Sequence, residues 1–311
     1  MTLKTAGQFF LSLVLLLGGI RYVSQSLRQI TGGRLHDLIK CYTSTPSRGF
    51  LLGAASTVFL QSSSLVTVMV VGFINGGFLT LQQGLSVVIG ANLGTTLTSQ
   101  LFSLETGQII EPLIIAGIIT YSAELILKKN FGGKVFLGAA LVLSGIELMA
   151  ITLEPLSKTA FYRGLYLLSK GTPWKGILTG ALTAAVIQSS SVTIGMVILL
   201  TKEKMINLPE AIAMILGADL GTCVTSMLAS IGTILPAKRV AWGHFLFNMF
   251  SIMIVLPFWQ HFLWLITATS SYFPQQVANA HMLYNLLGVL VFLPLVDKFA
   301  YLLEYIIKAK K

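Results

Sequence analysis

The chain has 311 residues, of which 54% are hydrophobic and only 10% charged, with a mean hydropathy of +0.81. Soluble domains carry about a quarter charged residues, so a soluble domain is excluded and the sequence reads as an all-α integral membrane protein, multi-pass, in a cell inner membrane or plasma membrane. A net charge of +10 would point to nucleic acid in a soluble chain. Here the basic residues sit in short links between apolar stretches, where they set topology and meet lipid headgroups, and no nucleic-acid partner is expected.

The first apolar run, Phe9 to Ile20, is followed by no small-residue cleavage pattern and resembles Phe136 to Ile146, so it is read as a retained span. Stretches of about 20 apolar residues, enough to cross a bilayer, fall at 6–27, 84–104, 109–127, 135–151, 209–231, 239–258 and 278–297. Two further apolar regions do not fit. Each is split by the same polar sequence, Gln61-Ser62-Ser63-Ser64 in one and Gln188-Ser189-Ser190-Ser191 in the other. The arms on either side are too short to span, which suits a re-entrant helical hairpin.

The two regions belong to a longer repeat. Gly49 to Ser99 aligns without a gap to Gly176 to Ser226 at a constant offset of 127, with 18 of 51 positions identical. A second identical block, Gly-Ala-x-Leu-Gly-Thr, occupies Gly90 to Thr95 and Gly217 to Thr222. Three spans separate Gln61 from Gln188, and an odd number of crossings makes the second hairpin enter from the opposite face. The expected fold is therefore two inverted-topology repeats, 1–130 and 131–258, each with a re-entrant hairpin and an unwound transmembrane helix, followed by an additional helix and short basic tail over 259–311. This is the architecture of many secondary transporters. The distribution of Lys and Arg among the links favours a cytoplasmic C-terminus.

A hairpin tip exposes helix-terminal N–H groups and a partial positive charge, which suits an anion. Three serines add hydroxyl donors, and the glutamine amide adds both a donor and an oxygen. The alternative is that the serines only satisfy a broken helix. In the second block, Asn92, Thr95, Thr96, Asp219 and Thr222 place oxygens mid-span. If the two glycines unwind the helix, these oxygens and freed carbonyls form cation sites. The same spacing also serves small-residue helix packing. Asp219, a carboxylate inside a span, either binds a cation, carries a proton or is a satisfied structural group. No charged residue lies between Gly49 and Leu104, so an anion bound at the repeated serines would need a co-bound cation. His244-x-x-Phe247-Asn248 is echoed by His281-x-x-Tyr284-Asn285. In each, His and Asn share a helix face and either hydrogen-bond a broken helix, the reading favoured here, or reach the substrate.

The doubled Gln-Ser-Ser-Ser, followed each time 26 residues after its last serine by Gly-Ala-x-Leu-Gly-Thr, resembles the type II sodium-phosphate cotransporter family, including its bacterial members, over about residues 5–297. The resemblance implies sodium-coupled symport of inorganic phosphate by alternating access. It implies phosphate at Gln61, Ser62, Ser63, Ser64, Gln188, Ser189, Ser190 and Ser191, and sodium at Gln61, Asn92, Thr95, Thr96, Gln188, Ser189, Asp219 and Thr222. Three features depart from the family pattern: Asp219 stands where Asn is commoner, a His-Asp-containing helix of animal members has no counterpart between Glu111 and Lys129, and the sequence ends at Lys311 before the soluble regulatory domain of many bacterial members. The motif-free spans 6–27 and 135–151 would serve as scaffold and as the face of a homodimer. The alternatives are a sodium-coupled carrier of another oxyanion, arsenate or sulfate, and an intramembrane serine hydrolase using one of these serines with His244 or His281 as base.

Overall fold

The computed structural model describes residues 42–60, 62–103, 107–127, 170–202 and 204–308, with scattered helical positions among 7–15 and 133–168. The chain divides into two compact units, Met1–Leu38 with Leu104–Arg163, and Ile39–Ser103 with Gly164–Lys311. All regular elements among the described residues are helices. In chain order these are α1 (Pro46–Leu60), α2 (Ser63–Asn75), α3 (Leu81–Ser103), α4 (Gly107–Leu127), α5 (Pro173–Ile187) and α6 (Ser190–Lys202). They continue with α7 (Leu208–Ala229), α8 (Leu235–Val255), a 3-10 turn at Leu256–Phe258, α9 (Trp259–Thr267), α10 (Phe273–Phe292) and α11 (Val296–Ile306).

In the first unit, α4 turns Ile115, Ile118 and Ile119 outward, and Gly133 donates its N–H to Glu124 Oε1 at 2.8 Å. The expected spans 6–27 and 135–151 lie outside the continuously described residues. Among the described residues three stretches are long and apolar enough to cross a membrane: Ile110–Leu127, Leu208–Ala229 and Leu235–Thr267. A fourth is added if α10 and α11, bent by 82° at their junction, count as one span.

The second unit turns apolar side chains outward and buries a set of polar ones among its apolar core. Leu178, Leu182 and Val186 of α5 and Trp264 of α9 face outward. Asn92, Ser99, Asp219, Ser226, His244, Asn248, His281 and Asn285 are all buried. The helices repeat at the offset seen in the sequence: α1 packs on α3 as α5 packs on α7, and α2 reaches α7 as α6 reaches α3. Even the helix starts correspond. The Gln83 N–H donates to Thr80 Oγ1 (3.3 Å) and the Thr80 N–H to Gln83 Oε1 (2.9 Å). At the same offset, the Glu210 N–H donates to Asn207 Oδ1 (3.1 Å) and the Asn207 N–H to Glu210 Oε2 (3.2 Å). Both pairs satisfy two helix-terminal donors reciprocally, although neither residue is identical between the copies.

The expected unwinding does not occur. Both α3 and α7 run as continuous α-helices through Gly90–Thr96 and Gly217–Thr222. Their glycines bring backbones together instead. A Cβ on Gly53 would collide with the Val87 carbonyl, and one on Gly90 with the Phe50 carbonyl. The equivalent pairs are Gly180 with Met214 and Gly217 with Ile177. Nor are carbonyls freed: Thr95 Oγ1 donates to Ala91 O (3.1 Å), Thr96 Oγ1 to Leu93 O (2.7 Å) and Thr222 Oγ1 to Asp219 O (2.8 Å). Small-residue packing, which needs no hydrophobic drive in lipid, accounts for the glycines. Gly217→Ala should therefore push α5 and α7 apart and cost about 1–3 kcal/mol, as overpacking does. Gly72→Ala, where a Cβ meets nothing within 4 Å, should be neutral or slightly stabilising. Thermal unfolding in detergent checks the pair, and equal midpoints would show that the close approach is not limiting.

Candidate functional site

Each Gln-Ser-Ser-Ser lies where one short helix ends and another begins. At 1.5 Å per residue, arms of 13 to 15 residues are about 20–22 Å long, short of the ~30 Å hydrocarbon layer. In the first copy Ser62 is extended (φ −156°, ψ 102°) and caps α2, its Oγ accepting from the Leu65 N–H at 3.2 Å. In the second, Gln188 adopts the left-handed conformation (φ 56°, ψ 29°) that ends α5, and Ser189 Oγ accepts from the Val192 N–H at 3.3 Å. A non-glycine residue there is uncommon and makes the break abrupt. Ser63 and Ser190 are buried, Ser64 and Ser191 half-buried, and the Gln188 side chain is exposed. Gln61 lies outside the described residues. Each tip thus pairs helix N-terminal N–H groups, without intrahelical acceptors, with several hydroxyls.

The second cluster is built on α3 and α7 and closed by α8 and α10. His244 on α8 places Nδ1 3.2 Å from Ser226 Oγ and Nε2 3.3 Å from Asn92 Oδ1. His281 on α10 bonds Ser99 Oγ through Nδ1, and its Nε2 lies 2.9 Å from Asp219 Oδ2. Ser99 and Ser226 are equivalent in the repeat, and so are Asn92 and Asp219. Each imidazole therefore joins the serine of one repeat to the amide or carboxylate of the other, and the two bridges cross. Since an amide oxygen and a carboxylate only accept, each Nε2 donates. In a neutral ring Nδ1 of His281 then accepts from the Ser99 hydroxyl, whereas the Ser226 hydroxyl lies within reach of both His244 Nδ1 and the Cys223 carbonyl (2.8 Å) and donates to one of them.

The halves differ in how the amide and the carboxylate are supplied with donors. Asp219 Oδ2 receives three donors, His281 Nε2, the Tyr284 hydroxyl and Asn285 Nδ2 at 3.0 Å. Asn92 Oδ1 receives His244, and the position equivalent to Tyr284 is Phe247. The carboxylate and the extra hydroxyl occur together, as the cost of a buried charge requires.

The expected residues fall into two groups. Asn92, Thr95, Asp219 and Thr222 are buried together with Thr96 on α3 and α7. Among the described residues, no hydrogen bond joins the serines at the helix breaks to this layer. The histidines bond continuous helices, not broken ones. Both ring nitrogens of each are engaged by residues other than the Gln-Ser-Ser-Ser serines, so neither is placed as the expected base for those serines. Among the described residues no three His, Cys, Asp or Glu side chains converge. Sequence reading missed Ser99, Ser226 and Tyr284, although the two serines are identical across the repeat.

The family model described as Na+/Pi-cotransporter matches twice, at residues 15–151 and 141–292. The uncharacterized protein YqeW of Bacillus subtilis is 29% identical over 250 residues, 80% of this chain and 81% of that one. The putative inorganic phosphate export protein YjbB of Escherichia coli K12 is 27% identical over 247 residues, 79% of this chain and 46% of that one. The chain thus spans under half the length of that relative. Human sodium-dependent phosphate transport protein 2B is 31% identical over 101 residues, 30% of this chain and 15% of that protein. No solved structure matches. With one family model covering nearly the whole chain in two consecutive matches, as a doubled sequence should give, the chain belongs to the Na+/Pi-cotransporter family.

Proposed function

We propose that this protein is a sodium-coupled symporter of inorganic phosphate in the cell membrane, working by alternating access between two inverted repeats, 1–130 and 131–258. The observation that carries the reading is the doubled Gln-Ser-Ser-Ser at two helix breaks inside a member of this family. Helix N-termini and clustered hydroxyls recognise an oxyanion without a full positive charge. Among the described residues no Lys or Arg is buried, and carrying a bare multivalent anion through an apolar region is prohibitive. A co-transported cation supplies the missing charge.

In this reading the two helix pairs are re-entrant hairpins that approach from opposite faces. Phosphate lies between Gln61, Ser62, Ser63 and Ser64 of one and Gln188, Ser189, Ser190 and Ser191 of the other. Sodium is held by Gln61, Gln188 and Ser189 at the tips and by Asn92, Thr95, Thr96, Asp219 and Thr222 on α3 and α7. A threonine that donates its proton to its own helix keeps its oxygen lone pairs for a cation, so continuous helices are compatible with such a site. Assembly as a homodimer through the motif-free spans is part of the same proposal.

Proteoliposomes carrying an inward sodium gradient should accumulate phosphate, while a potassium or choline gradient should give none. Gln188→Ala should lower the sodium-driven rate at least about tenfold, the scale of one lost hydrogen bond to a charged group, with insertion and unfolding midpoint retained. Uptake indifferent to sodium would sink the coupling, and preference for sulfate would change the passenger. In a background lacking Cys41 and Cys223, cysteines introduced at Ser63 and Ser190 should cross-link. Failure across all pairs at positions 62–64 and 189–191 would remove the shared site.

A further inference from the structure

Asn248 and Asn285 are fully buried, at 0% exposure, four residues beyond the two bridging histidines. The Asn285 amide nitrogen donates to Asp219 Oδ2 (3.0 Å) and to the His281 carbonyl (3.1 Å). The Asn248 amide nitrogen lies 3.4 Å from the Asp219 carbonyl and 3.2 Å from Cys223 Sγ. Backbone carbonyls and a carboxylate are acceptors only. Turning the Asn285 amide over would set oxygen against two oxygens, which fixes it; the Asn248 amide is held by the Asp219 carbonyl, with a thiol that can donate or accept as its second partner. Each Oδ1 is thereby committed to a direction in which, among the described residues, it meets no hydrogen-bond donor.

An unpartnered buried amide oxygen destabilises the fold by the cost of its desolvation. Two of them occupy equivalent places in the two His-x-x-x-Asn helices, and both amides take hold of the same residue, Asp219. An amide oxygen aimed at no donor is what an alkali cation takes as a ligand, and the adjoining carboxylate supplies negative charge.

We propose that Asn248 Oδ1 and Asn285 Oδ1 are sodium ligands beside Asp219, one contributed by each of the two equivalent helices. The proposal rests on sodium coupling and adds α8 and α10 to the elements that hold the ion. It gives the His-x-x-x-Asn repeat a division of labour: the histidine bridges the halves, and the asparagine orients its oxygen by tying its nitrogen to Asp219.

The test is sodium binding, read without transport. Purified protein in detergent is titrated with sodium chloride against choline chloride, following the unfolding midpoint and bound radioactive sodium. Wild type should be stabilised by sodium. Asn248→Leu and Asn285→Leu should each raise the half-saturating sodium concentration at least about tenfold. Asn248→Leu should lose less stability in choline than in sodium, because the leucine removes an oxygen that only sodium satisfies. If Asn285→Leu fails to fold, since it also takes a donor from Asp219, Asn248→Leu decides, as its amide donates only to a carbonyl and a thiol. Half-saturation within twofold of wild type in Asn248→Leu would overturn the proposal while leaving sodium coupling intact, and would assign water to these oxygens. A wild type that sodium does not stabilise or bind to would overturn both.

Discussion

A carboxylate buried to 2% exposure inside a membrane protein has to be supplied with donors from several directions, and the second unit is arranged around that requirement. One oxygen of Asp219 takes a ring N–H, a phenol and an amide, all from α10. Residues 281, 284 and 285 project from one face of a helix, so a single element answers the charge. That fixes how α10 must sit against α7. Through the Nδ1 bond of His281 to Ser99 it also fixes how α10 sits against α3. The neutral counterpart, Asn92 with His244, places α8 in the same way.

The glycines make this possible by a different route. Because α1 and α5 approach α3 and α7 backbone to backbone, the polar faces of the long helices are left for α8, α10 and the opposite repeat's short helix. Apolar side chains then face outward, where lipid is an equal partner to them. Side-chain hydroxyls of Thr95, Thr96 and Thr222 fold back on their own helices, so polar side chains are buried there without loosening the helical ladder.

Much of this was legible in the sequence. An ungapped repeat with two identical polar blocks announced equivalent halves, and the helix breaks fall at Gln-Ser-Ser-Ser. What misled was the mid-span glycine pair. Unwinding and close packing call for the same residue, and the difference lies in the partner helix, Phe50 and Ala54 in one copy and Ile177 and Ala181 in the other, which no local pattern names. The histidines were legible as a motif and not as bridges, because their partners lie 18 to 182 residues away. Ser99 and Ser226 end the aligned segments as identities, but an isolated serine in a span has many structural uses. Tyr284 was visible only as an aromatic in the place of Phe247, and its role requires knowing that position 219 is within reach.

The Asn92–Phe247 and Asp219–Tyr284 pairs constrain how two halves of a duplicated chain can diverge. If both began alike, an amide could become a carboxylate without penalty only where the phenolic oxygen already stood, because an acid facing a phenylalanine is short of one donor. Hydroxyl first leaves an amide oxygen with one more donor and strands nothing. Drift between such halves is therefore directional: the aromatic position changes before the acid appears, and the acid must be lost before the aromatic can revert.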